Sequence, residues 1–67
     1  FSLFFREEPR PHVHVQHASG EAKFWLEPVV ALEHDYGMGS ARTRAVQKLV
    51  EEHRDEIGAA WKKYVGH

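Results

Sequence analysis

Apolar and polar side chains alternate with a period of two along residues 2–6, 12–17 and 22–27, the pattern of half-buried β-strands. In the first run Leu3 and Phe5 share one face, Ser2 and Phe4 the other. The charged, proline-containing stretch 7–11 cannot continue a ladder and is a connection, with Pro11 placed where a strand can begin. In the second run Val13 and Val15 face a core while His12 and His14 stand together on the opposite side. A tight turn with Ser19 and Gly20 as its loop residues then predicts the register by counting outward. On the core side Val15 meets Phe24, Val13 meets Leu26 and His17 meets Ala22. On the other side Gln16 meets Lys23, His14 meets Trp25 and His12 meets Glu27. After Pro28, residues 29–34 predict a fourth strand, Val30 and Leu32 alternating with Ala31 and Glu33; a short helix is the alternative.

The period changes after the glycine-containing break at 35–40, where Ser40 is the predicted N-cap. From Ala41 onward, apolar positions recur at three-and-four spacing through Val46, Leu49, Val50, Ile57, Ala60, Trp61 and Tyr64, with His53 on the same stripe. This predicts one long helix, or two with a bend near 54–56. Lys62 and Lys63 suit its last turn and Gly66 ends it. The predicted fold is α+β: one small domain over residues 1–67, an antiparallel sheet of three or four strands covered on its Val13, Val15, Phe24 and Leu26 face by the long, possibly kinked C-terminal helix. The uncovered face would expose Trp25, His12 and His14. Edge strands would remain open for pairing, so association is expected, as a homo-oligomer through an edge strand or with a small protein partner.

Composition narrows the function classes. A chain of 67 residues buries only about 60% of its unfolded surface, and without cysteine it has neither disulfides nor thiolate metal ligands. That suits a reducing compartment and predicts a cytoplasmic location. No apolar run reaches the ~20 residues of a membrane helix, and no signal peptide is visible, so a soluble chain is expected. A formal charge of −1 argues against nonspecific coating of nucleic acid, although a local basic patch could still engage RNA or DNA. Because the chain opens on Phe1 rather than methionine, a native start further upstream, with an additional strand, is expected.

The compositional oddity is six histidines. His12 and His14 beside Glu27 could shuttle protons while Lys23 steadies a phosphate, the equipment of a metal-independent ribonuclease. The same pair with a carboxylate resembles part of a Zn²⁺ site. The commoner outcome for a His-x-His strand is a solvated or partner-covered sheet face. With two histidine ligands and one acid already opposed to His12, no metal and no cofactor are assigned, and the fold is expected to survive chelation. His34 would join only if its strand paired beside the hairpin on the correct face. Arg42, Arg44 and Lys48 crowd the positive end of the helix and invite an anion, either nucleic-acid phosphate or an acidic partner. The plainer reading is a solvated face balanced by Glu51, Glu52, Asp55 and Glu56. His53, Trp61 and Tyr64 are expected to pack between helix and sheet.

The run Pro11-His12-Val13-His14-Val15, the stretch from Glu21 through Trp25 to Val29, Tyr36-Gly37, Leu49 to Arg54, and Trp61-Lys62-Lys63-Tyr64 together resemble a small bacterial family, the domain of unknown function numbered 4160. The resemblance covers nearly the whole chain. It implies a bacterial origin and a small partner encoded nearby, since such proteins are suspected members of toxin–antitoxin pairs. It carries no catalytic residues with it. The preferred reading is therefore an interaction protein, docking through Trp25 and its histidine face or through the Arg42, Arg44 and Lys48 patch, rather than an enzyme. Catalysis by His12, His14, Glu27 and Lys23 is the alternative.

Overall fold

A computed structural model of the protein describes residues 2–18 and 20–66. Strands β1 (Ser2–Phe4), β2 (His12–His17), β3 (Gly20–Trp25) and β4 (Ala31–Tyr36) form one antiparallel sheet in sequence order, followed by α1 (Ser40–Glu52) and α2 (Arg54–Val65). This is the predicted α+β architecture, with four strands and the fourth apolar segment a strand rather than a helix. That strand begins two residues later than predicted, because the connection after the cis Glu27-Pro28 bond carries Val29 out to solvent.

The central hairpin corrects the predicted register by two residues. Val13 pairs with Phe24, Val15 with Ala22, His17 with Gly20, His14 with Lys23, Gln16 with Glu21 and His12 with Trp25. The Leu26 amide donates to the Pro11 carbonyl at 3.0 Å, extending the same register beyond the strands. Gly20 is therefore a strand residue and not half of the turn; Ser19, the other predicted turn residue, lies outside the described residues, as does Phe1. A shift of two preserves the faces because side chains alternate with period two. Val13, Val15, Ala22, Phe24 and Leu26 all enter one core, as the pattern requires.

The connection to α1 is tied by Asp35. Its carboxylate accepts from the Met38 amide at 3.0 Å and from the Thr43 hydroxyl at 2.8 Å, so Met38 and Thr43 are both held in the interior. Gly37 and Gly39 flank Met38 at φ +80 and +88, left-handed values that a side chain would resist. Gly39, not Ser40, is the N-cap, and no side chain caps the helix. The helical region divides at His53, one residue before the predicted bend, where the Arg54 guanidinium donates to the Leu26 carbonyl at 3.0 Å and fastens α2 to the end of β3. Val46 and Val50 of α1, with Ile57 and Trp61 of α2, close the core over the valine face. His53 departs from its predicted packing role: its side chain is exposed and bonds Glu56. Leu49 and Tyr64 are also partly exposed.

Candidate functional site

Across the second face of the sheet the registers place Phe4, His14, Lys23 and His34 in one row, one residue from each strand. Phe4 stacks flat on the His14 ring, with centroids 4.8 Å apart, and His34 approaches its other side. The two-residue period predicts this face, but not its covering. His12 is 0%, His14 3% and Lys23 7% exposed, so the predicted open histidine face is corrected to a buried one. Two things cover it. The connection after β1 folds back so that Glu8 lies over the row, and Trp61, which also belongs to the core on the valine face, meets the His12 ring edge-on at the start of β2. Prolines 9 and 11 force that connection to turn rather than to run on with the sheet.

Glu8 is the carboxylate of the cluster. Its Oε1 accepts from Lys23 Nζ at 2.6 Å, while Oε2 lies 3.9 Å from His12 Nε2 and 4.0 Å from His14 Nε2. Glu27, predicted opposite His12, is exposed and contributes only its backbone carbonyl, to the Arg10 guanidinium. The reason is the register: Trp25 takes the place across from His12, and Glu27 falls beyond the strand. The same shift makes Glu21 the diagonal neighbour of His14, and its Oε2 lies 3.2 Å from His14 Nδ1. Sequence reasoning missed both Glu8 and Glu21. The available signal for Glu8 was an acidic pair, Glu7 and Glu8, placed just before two prolines.

Hydrogen bonding sets the imidazole tautomers. His12 Nδ1 is 2.9 Å from the Arg10 carbonyl, an obligate acceptor, so it carries the proton and donates. His12 Nε2 then accepts from the Arg6 amide at 3.1 Å. His14 Nδ1 likewise donates to the Glu21 carboxylate, leaving Nε2 as a lone pair, buried and without a hydrogen-bond partner among the described residues. Burial pushes His14 below the usual histidine value, against the pull of Glu21, and the nearby His12 adds to the depression. Glu8 is held below the usual carboxylate range, chiefly by the Lys23 hydrogen bond. Glu8, His12 and His14 thus converge three potential metal-ligand atoms within 4.8 Å of one another.

The remaining predicted residues fall elsewhere. Trp25 is half-buried, with the Arg10 guanidinium 4.2 Å and Lys23 Nζ 4.5 Å from its ring centroid, so its ring is already engaged by cations of its own chain. Arg42, Arg44 and Lys48 are exposed on α1, outside the histidine cluster, with Glu51 beside Arg44 and Lys48.

Residues 1–62 match the model of the domain of unknown function DUF4160. The chain belongs to this family. In this DUF4160 domain the matched span contains the whole sheet, the histidine cluster and α1, and most of α2. No curated protein and no solved structure matches the chain. Among the described residues no helix is long and apolar enough to cross a membrane.

Proposed function

We propose that this DUF4160 protein is an interaction protein that binds a small protein partner, as one component of a two-protein pair of the toxin–antitoxin kind in the bacterial cytoplasm. The observation that carries this reading is an open apolar groove of about 540 Å³ between β1 and the two helices, lined by Leu3, Phe5, Leu49, Ile57 and Ala60 among others. Leu3 and Leu49 remain 54% and 47% exposed there, an apolar surface that water does not favour. The groove runs beside β1, the edge of the sheet. The occupant that fits is an extended apolar segment of the partner, adding a strand to β1 and directing alternate side chains into the groove as Leu3 is directed.

Burial separates this reading from the metal-independent ribonuclease alternative. Both imidazoles would have to reach a phosphate, and both are enclosed, with the two nitrogens of His12 already engaged. The test is coexpression with the product of the adjacent gene, followed by affinity measurement on the purified pair. Leu49→Glu, a surface substitution, should weaken the complex by at least about tenfold, the scale of a contact worth 1.4 kcal/mol, while Lys48→Ala on the outer side of α1 leaves it intact. A complex indifferent to Leu49→Glu, or a protein that fills the groove by dimerising with itself, would overturn the assignment.

A further inference from the structure

The histidine cluster carries an arrangement that hydrogen bonding within the protein leaves incomplete. His12 and His14 each donate from Nδ1, to the Arg10 carbonyl and the Glu21 carboxylate, which leaves both Nε2 atoms unprotonated at 3.9 and 4.0 Å from one oxygen of Glu8. Three electron-rich atoms face one another. The Arg6 amide serves His12 and Lys23 serves the other Glu8 oxygen, yet among the described residues His14 Nε2 has no donor. A buried lone pair aimed at a carboxylate is costly unless a proton or a cation lies between them.

We propose that Glu8, His12 and His14 bind a divalent first-row transition-metal ion, with Glu21 and the Arg10 carbonyl orienting the two imidazoles from behind. Two imidazoles and a carboxylate are a ligand set such ions accept, and an Nδ1–H held by a carboxylate or backbone carbonyl is the usual support of a histidine ligand. The expected absence of a metal rested on Glu27 as the third ligand; Glu8 replaces it and comes from a connection, where it can adjust. Adjustment is required. Ligand atoms about 2.0–2.1 Å from a tetrahedral ion lie roughly 3.4 Å apart, so the 3.9 and 4.0 Å separations must close by about half an ångström and the two imidazole nitrogens, within 4.8 Å of each other, by up to about 1.4 Å. His12 Nε2 must also release the Arg6 amide, which belongs to the same irregular connection. The Glu8 side chain is 33% exposed and gives the ion its way in. Because Lys23, Glu8 and the hairpin already hold the cluster together, the ion would join a folded site rather than build it.

The experiment uses the full chain, stripped with chelator, with Zn²⁺ alone titrated by calorimetry and Co²⁺ absorption reporting coordination geometry. The expected result is one equivalent bound, with Nε2 of His12 and His14 shifting in ¹⁵N spectra. Glu8→Gln should lower affinity at least about tenfold, and Glu21→Gln by about 10–100-fold, the effect of removing an outer-shell partner. His53→Gln, which removes an exposed histidine, should leave binding unchanged. His14→Gln, which removes a ligand, should abolish stoichiometric binding; should it fail to fold, the two glutamate variants still decide. Absence of stoichiometric binding by the parent chain, or binding that both glutamate variants retain in full, overturns the site.

Discussion

Gly20 lies against Met38 so closely that a Cβ on Gly20 would fall 2.7 Å from the Met38 amide nitrogen and 2.8 Å from its side chain. This glycine is needed for approach, not for turning. Its neighbour is backbone, fixed by the Met38 amide bond to Asp35, and cannot swing aside. Gly20→Ala should therefore destabilise the domain by about 1–3 kcal/mol, the usual cost of overpacking. Gly58, inside α2 with no neighbouring atom within 4 Å of where an added Cβ would stand, is the control: Gly58→Ala should stabilise by about 0.5–1 kcal/mol through helix propensity. Denaturant titrations of both variants check the pair, and equal effects would refute the packing assigned to Gly20.

Trp61 is 9% exposed and packs edge-on to His12. Trp61→Ala should cost about 3–5 kcal/mol, enough to unfold much of so small a domain. Among the described residues its buried indole nitrogen has no hydrogen-bond partner, so Trp61→Phe removes an unsatisfied donor along with some volume and should cost clearly less. Thermal melts that rank phenylalanine at or below alanine would contradict this placement.

Stability of the chelator-treated protein should fall as the solution is acidified. Folded His14 titrates below its ordinary 6.5, so the unfolded chain binds the proton first, and stability declines as pH drops below that value. Glu8, lowered from 4.5, contributes stability above that pH and loses it as pH falls through its folded value. His53 has the opposite sign: Glu56 raises it, so its contribution is present below 6.5 and lost as pH rises through the folded value, but the pair is exposed and weak. Melting temperatures measured between pH 6.5 and 4.5 should decrease with acid, and His14→Gln should flatten that limb. A parent profile that is flat there, or rises, would rule out a buried neutral His14.

Lys23 is buried, and its partner Glu8 keeps 33% of its side chain exposed. Lys23→Met should destabilise by leaving the half-exposed Glu8 carboxylate over an apolar neighbour, and adding Glu8→Gln should recover part of the loss, since an unpaired charge beside a buried apolar group costs more than a neutral replacement. A double-mutant cycle by chemical denaturation measures the coupling; strictly additive losses would mean that the two side chains do not meet.

The two-residue alternation of β2 and β3 by itself determined which side chains enter the core, because face depends only on parity, and the two-residue register error left Val13, Val15, Phe24 and Leu26 where the pattern places them. The three-and-four spacing likewise determined Val46, Val50, Ile57 and Trp61 as the covering face. Tertiary structure decided who meets whom. Glu8 reaches the histidines from outside the regular strands, through a connection whose path no periodicity encodes, and Glu21 reaches His14 only in the observed register. The burial of His12 depends on Trp61, 49 positions away in the chain, arriving from α2. Local pattern reports the direction of a side chain from its own backbone, whereas a site requires the positions of several backbones at once, and those are fixed only when the sheet, its returning connection and the second helix pack together.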